Sequence, residues 1–232
     1  MSTPMHDRRF PGESDAYRAA RDELLKAEIA LKDQREAVAA LRRRLPLGAA
    51  IPTDYVFQEG SRDFRDTETV RGVRMSELLE GPRTTLVVIH YMFNPAREVP
   101  CPMCTMWADT YNAAAPHVLQ RVNFVLVAKA DIKRLRAWAA ARKWDNLRLL
   151  SSLGTTFNRD YHAEEEDGGQ NAGVSVFVKR NGAVHHSYSV EADAAHHGPG
   201  DPRHIDLLSP VWNLFDLTPE GRGDWYPSFS YG

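Results

Sequence analysis

The sequence has 232 residues, of which 43% are hydrophobic and 26% are charged, a composition typical of a folded chain with one substantial core. The formal net charge of −2 at pH 7 gives no field that would attract nucleic acid or an anionic membrane, so the expected partners are small molecules or proteins. No apolar run approaches the ~20 residues that cross a bilayer, and residues 1–10 do not resemble a signal peptide. These features predict a cytoplasmic protein with neither a membrane nor a nucleic-acid partner.

The first predicted element is one long amphipathic helix over residues 15–45, within an N-terminal helical extension of residues 1–50. The segment lacks Pro and Gly, and apolar side chains recur every seven positions at Tyr17, Leu24, Leu31, Val38 and Leu45. Ser14 is a suitable N-cap, while Pro46 and Gly48 end the helix. Two interpretations stay open: the helix packs against its own domain, or it provides a homodimer contact.

Residues 51–232 alternate between strand and helix patterns, which predicts an α/β domain. Its elements are expected at residues 55–57 (strand), 85–93 (buried strand), 105–120 (helix, kinked or divided by Pro116), 122–128 (strand), 131–144 (helix), 174–179 and 183–190 (strands), and 202–217 (helix, which Pro210 can break). Asn181 and Gly182 form a strong hairpin signal between the last two strands. The order βαβ-α-ββα is that of a thioredoxin-like fold.

The two cysteines of the chain, Cys101 and Cys104, are separated by Pro102 and Met103, directly after the first buried strand. A thiol attacks only as a thiolate, and the free N–H groups at a helix N-terminus stabilise that charge. Pro102 suits the first helical turn, and the spacing brings the two sulfurs close enough for a disulfide. We therefore expect Cys101 to be a nucleophile with a pKa below ~8.5, and Cys104 to be the resolving thiol with a higher pKa.

A metal site that uses the same cysteines is the leading alternative, and inert buried thiols are a third. A metal would need more ligands, for which the candidates are His185, His186, His196 and His197. Adjacent side chains on a strand point to opposite faces, so His185 and His186 cannot both reach one metal from there. The dithiol explains the cysteines without remote ligands, and no metal or other cofactor is predicted.

Three aromatic or titratable residues near the motif have two interpretations each. His90, on the strand that leads to the cysteines, is a candidate proton shuttle, or else a neutral core histidine bonded to a neighbour. Trp107 and Tyr111 follow Cys104 by three and seven positions, a spacing that favours packing beneath the motif over substrate contact.

The chain resembles a bacterial family of thioredoxin-like domains of unknown function, whose members are described as predicted dithiol-disulfide oxidoreductases. The resemblance covers most of the chain, at Arg42 to Pro46, Tyr55 to Phe57, His90 to Phe93 with Pro95, Cys101 to Cys104 with Trp107 to Asp109, Ser151 and Ser152 with Phe157 and Asn158, Gly173 to Phe177, His186 to Ser189 and Asp216 to Arg222. It implies the fold and a redox activity, with Cys101 and Cys104 as the family's dithiol and His90 as a histidine beside it.

Two departures from the wider superfamily narrow the expected chemistry. Thioredoxins carry a cis-proline opposite the CxxC motif that holds substrate backbone, whereas the matching segment here is Gly173 to Val176 and has no proline. Peroxiredoxins have a threonine or serine three residues before the reactive cysteine and a proline four residues earlier, but these positions hold Glu98 and Asn94. The sequence thus predicts a thiol-disulfide oxidoreductase with a disulfide or peroxide substrate and an unidentified electron donor.

Overall fold

The computed structural model describes residues 5–79, 81–191, 210–221 and 223–230. The chain forms two compact units, residues 1–46 and residues 47–232. None of the described helices combines the length with the apolar character that a bilayer crossing requires.

The first unit is built around α1 (Asp15–Arg43). The Ser14 hydroxyl caps this helix by accepting a hydrogen bond of 3.1 Å from the Tyr17 backbone N–H, as the sequence predicts. Within the first turns, Arg18 and Asp22 pair at 3.0 Å. The heptad residues Tyr17, Leu24 and Leu31 expose 50%, 51% and 60% of their surface. A homodimer contact through this stripe stays a prediction.

The second unit contains a sheet that has seven strands among the described residues: β1 (Val56–Gly60), β2 (Val70–Arg74), β3 (Thr85–Tyr91), β4 (Asn123–Ala128), β5 (Leu149–Ser151), β6 (Gly173–Arg180) and β7 (Ala183–Ser189). Their order across the sheet is β2-β1-β5-β4-β3-β6-β7. Strands β3, β4 and β5 run parallel, and the other neighbouring pairs are antiparallel. A β3-helix-β4 unit beside the β6-β7 hairpin is the thioredoxin-like arrangement, which confirms the predicted fold class.

Strand β3 lies between β4 and β6 and separates two apolar layers, because its successive side chains point to opposite faces. Ile89 and Tyr91 belong to a core that contains Cys104 together with residues of α2 (Pro102–Val118) and α3 (Ile132–Ala141). Leu86 and Val88 face the other core, which is covered by a 3₁₀ turn at Met75–Leu79 and the short helix α4 (Phe157–Asp160). Five of the seven β3 side chains are buried, and Thr85 and Val87 are partly buried.

Helix α2 is continuous from Pro102 to Val118, so the predicted division at Pro116 is wrong, while a kink there stays a prediction. Pro116 lies in the last turn of the helix, where only one intrahelical hydrogen bond is lost to its missing N–H. The carbonyl that would have accepted this bond is that of Asn112, and the Asn146 side-chain amide donates to it at 3.2 Å. The cost of the proline is offset by this replacement partner.

Elsewhere the structure adds elements that the sequence pattern did not predict. Strand β2 is an edge strand with one buried side chain, and β5 has only three residues, so neither produces a clear apolar period. The β6-β7 hairpin is confirmed, with Asn181 and Gly182 at φ values of 51° and 82°. The described part of the last predicted helix is α5 (Pro210–Phe215); residues 202–209 lie outside the described residues, so the break expected at Pro210 stays a prediction.

Asp109 of α2 joins three parts of the second unit. Its carboxylate accepts hydrogen bonds from the Trp144 indole N–H at 2.8 Å and from the Arg142 guanidinium at 3.0 and 2.5 Å. Arg142 also donates to the backbone carbonyl of Phe229, near the end of the chain. The position of the C-terminal segment is thus coupled to the helix that begins at the cysteines.

We expect the Asp109→Ala substitution to lower the free energy of unfolding by about 2 kcal/mol, because it removes the acceptor of three charge-assisted or indole hydrogen bonds in a largely buried site. Urea denaturation measures the change. Asp145→Ala, at an exposed position on the loop after Lys143, is the control and should alter stability by less than about 0.5 kcal/mol. Equal effects of the two substitutions would contradict the anchoring role.

Candidate functional site

Cys101 is the N-cap residue of α2, and Pro102 is the first residue of that helix. The Cys101 backbone is extended, with φ −68° and ψ 128°, and its N–H donates to the Met92 carbonyl at 3.0 Å. This bond attaches the cap residue to Met92, the first residue after β3. The Cys101 sulfur then lies over the open end of the helix, where the backbone N–H of Cys104 donates to it at 3.5 Å.

The two thiols are free and have opposite electrostatic surroundings. Hydrogen bonds from the Cys104 thiol, from the backbone N–H groups of Cys104 and Met103 and from the Tyr226 hydroxyl outweigh partial burial and lower the pKa of Cys101 to about 6. The pKa of Cys104 is raised well above its ordinary value, because its thiol donates to the Cys101 sulfur, is buried and faces that sulfur's charge. Cys101 is half-buried, whereas only 2% of Cys104 is exposed.

Two hydroxyl groups beneath the motif hold the cap residue in place. The Thr105 hydroxyl donates to the Cys101 carbonyl at 2.9 Å, and it lies 2.8 Å from the Tyr91 hydroxyl. Since the single Thr105 proton is used on the carbonyl, Tyr91 is the donor of the second bond. Trp107 is 1% exposed, and Tyr111 packs edge-on against Phe124, as the helical spacing predicts.

The loop before Cys101 is held by one arginine of α3. Arg134 donates to the backbone carbonyl of Pro95 at 2.7 Å and also to that of Arg97. Its guanidinium lies 5.0 Å from the centre of the Phe93 ring. These contacts restrain the connection between β3 and the helix cap.

Tyr226 is a functional candidate that the sequence reasoning did not identify. Its hydroxyl contributes to the lowered pKa of Cys101, and partial desolvation together with the thiolate charge raises the pKa of Tyr226 to about 12, while 56% of the residue is exposed. The segment that carries it is anchored at Phe229, whose ring centre lies 5.0 Å from that of Trp138. Tyr226 is 125 positions from Cys101, and no local pattern signals such a long-range contact.

His90 does not lie beside the cysteines, which corrects the expectation drawn from its position on β3. It is 3% exposed and stacks on Phe157 in the layer opposite that of Cys104. Its Nε2 lies 2.8 Å from the Ser175 hydroxyl, and burial lowers the pKa of His90 to about 4. The alternation of β3 separates this neutral histidine from the thiols, so it is not positioned to move a proton to Cys101.

The candidate metal ligands are also not gathered at the cysteines. His185 donates from Nδ1 to the Gly48 carbonyl at 3.1 Å, and His186 Nε2 lies 2.8 Å from the Ser189 hydroxyl. Within the described part of the chain, His, Cys, Asp and Glu side chains form no group of three or more that could hold a metal ion. His196 and His197 lie outside the described residues. Gly173, at the position of the superfamily's proline, begins β6 and pairs with His90.

We expect Tyr226→Phe to raise the pKa of Cys101 by roughly half a pH unit, because the ring is kept while one partly solvated donor to the thiolate is lost. The midpoint of the iodoacetamide alkylation rate against pH measures this change. Tyr17→Phe, in α1, is the matched control and should leave the midpoint unchanged. A Tyr226→Phe protein with the wild-type midpoint would show that the hydroxyl does not stabilise the thiolate.

Several solved structures are similar to this chain. Plasmodium yoelii thioredoxin peroxidase I is 13% identical over 79% of this chain and 100% of its own, with a TM-score of 0.48. Enterococcus faecalis AhpC is 11% identical over 78% and 98%, with a TM-score of 0.47. The mitochondrial 2-Cys peroxiredoxin of Plasmodium falciparum is 15% identical over 73% and 95%, with a TM-score of 0.45. At these identities and scores, the activity of this chain has to be argued from its own side chains.

The chain matches no functionally curated protein. Residues 7–230 match the family model described as "Bacterial protein of unknown function (DUF899)". This match spans nearly the whole sequence and confirms the resemblance carried by the motifs around Cys101. The chain therefore belongs to the DUF899 family of bacterial proteins of unknown function.

Proposed function

We propose that this protein is a thiol-disulfide oxidoreductase that uses Cys101 as its nucleophile and Cys104 as its resolving thiol. The observation that carries the proposal is the asymmetry of the pair: the half-buried Cys101 has a pKa lowered to about 6, and the buried Cys104 has a raised pKa. At pH 7 a thiol with that pKa is about nine-tenths thiolate. The accessible sulfur is then the reactive one.

In the first step, the Cys101 thiolate attacks one sulfur of a disulfide substrate. A bond forms between Cys101 and that sulfur, the substrate S–S bond breaks, and the other substrate sulfur leaves as a thiolate. With a peroxide as substrate, the thiolate would instead take one oxygen and become a sulfenic acid, while the second oxygen leaves as water or an alcohol. Tyr226 and the helix N–H groups stabilise Cys101 before either attack.

In the second step, Cys104 attacks the sulfur of Cys101. The Cys101 thiolate charge and hydrogen bond that raise the pKa of Cys104 are lost once Cys101 is covalently modified, so Cys104 ionises more readily at that stage. The new Cys101–Cys104 bond releases the second substrate thiol, or water from the sulfenic acid. The protein has then lost two electrons to the substrate.

An external dithiol closes the cycle by reducing the Cys101–Cys104 disulfide. Such reductants are maintained in the cytoplasm, which is the location that we propose for this chemistry. The segment from Gly173 to Val176 lacks the proline with which thioredoxins hold substrate backbone, a difference that favours small disulfides or peroxides over folded protein substrates.

We expect the two single-cysteine variants to differ in alkylation by iodoacetamide. Cys104→Ser keeps a hydroxyl donor beside Cys101 and should react with a midpoint near pH 6, whereas Cys101→Ser should react slowly at neutral pH because the remaining thiol is buried. Because only the thiolate is alkylated, the alkylation rate of this variant should rise as the pH rises through about 6 and should be nearly constant above pH 7. If the Cys104→Ser protein reacts at pH 7 no faster than a free model thiol, Cys101 is not an activated nucleophile.

We expect the wild-type protein to cycle between two free thiols and none when it is mildly oxidised and then reduced with a dithiol, because the two sulfurs close one intramolecular disulfide. Thiol titration combined with mass measurement follows the cycle. Cys104→Ser, mixed with small disulfides, should accumulate a trapped mixed disulfide on Cys101. Free thiols that survive oxidation, or stoichiometric zinc that survives dialysis, would instead favour the inert-thiol or the metal-binding alternative.

A further inference from the structure

A cavity of about 470 Å³ lies between α2 and the C-terminal segment. Its wall is formed by one face of α2, by one residue of α5 and by a nearly continuous run near the end of the chain: Met106, Asp109, Thr110, Val211, Trp225, Tyr226, Pro227, Ser228 and Ser230. The three α2 residues share a face because positions three and four apart are neighbours on a helix. The volume is within the range of sites for small organic molecules.

Tyr226 belongs both to this wall and to the surroundings of Cys101. Its hydroxyl helps to lower the pKa of the Cys101 thiol by hydrogen bonding. The cavity therefore begins no farther from the reactive sulfur than about the length of one tyrosine side chain. Cys101 itself is only half-buried. A group attached to a sulfur atom that Cys101 attacks can thus extend past Tyr226 into the cavity.

The C-terminal side of the cavity is held in place by contacts at both of its ends. The Trp225 ring packs edge-on against Phe215 of α5, with 4.9 Å between the ring centres. At the other end, the Phe229 carbonyl accepts a hydrogen bond of 3.2 Å from Arg142, and the Phe229 ring packs edge-on against Trp138. The wall is therefore formed before a ligand arrives, which lowers the entropic cost of binding.

Apolar side chains make up much of the wall, and its polar groups are largely engaged. The apolar members are Met106, Val211, Trp225 and Pro227. The Thr110 hydroxyl donates to the Met106 carbonyl at 3.0 Å. The Asp109 carboxylate accepts from the Trp144 indole N–H and from Arg142. Such a wall gains more from burying an apolar group than from a polar one.

The charges around the cavity disfavour an anion. The described residues of the wall include no Lys, Arg or His, and Asp109 is their one carboxylate. Tyr226 stays neutral at pH 7, because its pKa is raised to about 12. An anionic group would face the carboxylate and the Cys101 thiolate, against the single guanidinium of Arg142 that Asp109 already binds. A neutral group avoids this repulsion.

We propose that this cavity holds a neutral, apolar group of the disulfide that Cys101 attacks, of about the size of one aromatic ring. The proposal rests on the redox function assigned above and specifies its substrate class as small neutral disulfides with apolar substituents. The sulfur that bears the held group forms a bond to Cys101, the substrate S–S bond breaks, and the other half leaves as a thiolate with the electron pair of that bond.

The test uses the full-length Cys104→Ser protein and three methanethiosulfonate probes, whose transferred groups are methyl, benzyl and 4-carboxybenzyl. Each probe passes its group, with one sulfur, to the Cys101 thiolate and releases the same methanesulfinate, so differences in rate arise from the transferred group. Rates at pH 7 are divided by those of N-acetylcysteine amide, which removes the intrinsic reactivity of each probe. We expect the benzyl-to-methyl ratio to be about tenfold higher on the protein than on the free thiol. The 4-carboxybenzyl probe should gain no such advantage.

Met106→Gln keeps the length of the side chain but makes the wall polar, and it should lower the benzyl-to-methyl ratio roughly threefold or more. Trp225→Ala removes the largest apolar side chain of the wall and should lower the ratio as well, which keeps the test valid if Met106→Gln does not fold. Leu214→Gln is the matched control. Leu214 lies on α5 with 61% of its surface exposed, outside the described wall, so the ratio should stay at its original value.

Three results would overturn the inference: the same ratio on the protein as on the free thiol, an equal advantage for 4-carboxybenzyl and benzyl, or an equal fall in the ratio in Leu214→Gln and in the wall variants. Iodoacetamide separates this inference from the proposed function, because its small group does not need the cavity. Fast alkylation of Cys101 without a preference for benzyl would contradict the cavity alone. Slow alkylation would contradict the proposed function and this inference with it.

Discussion

The Cys104 thiol and the backbone N–H groups of Cys104 and Met103, all in the first turn of α2, lower the pKa of Cys101 by hydrogen bonding to its sulfur, and the chemistry proposed for this protein depends on that interaction. Partial burial acts in the opposite direction, because it raises the pKa of Cys101. The hydrogen-bond donors outweigh the effect of burial only if Cys101 stays at the N-cap position, over the N-terminus of α2. Much of the second unit serves that requirement: the Met92 carbonyl holds the Cys101 N–H, and Thr105 holds its carbonyl.

The supporting contacts come from parts of the chain that are far apart in sequence. Arg134 of α3 restrains the loop before the cysteines, and Arg142, at the end of the same helix, reaches both Asp109 of α2 and the carbonyl of Phe229. The C-terminal segment is thereby held where Tyr226 can donate to the thiolate. Two arginines of α3 and its C-cap therefore hold three parts of the structure: the loop before Cys101, Asp109 in α2, and the C-terminal segment that carries Tyr226.

Local signals were sufficient for the elements that have strong local causes. The CxxC motif with Pro102 defines the helix start, Asn181 and Gly182 define the hairpin, and the apolar run of β3 defines a largely buried strand. The sequence could place His90 on β3, but the face to which it points depends on strand register and on which helices cover each side. Tyr226 could not be found at all, because its contact is made by tertiary packing.

The close spacing of the thiols bears on how the proposed enzyme would withstand an excess of oxidant. A thiolate as accessible as Cys101 is open to successive oxidation, in which a sulfenic acid is still recoverable but a sulfinic acid is generally not. Cys104 lies in the first turn of the helix that Cys101 caps, and its backbone N–H already contacts the Cys101 sulfur, so it is placed to condense with a sulfenic acid there. Condensation is then intramolecular, whereas overoxidation needs a second oxidant molecule to diffuse in. The geometry that makes Cys101 reactive therefore also limits how long its sulfenic acid is open to further oxidation.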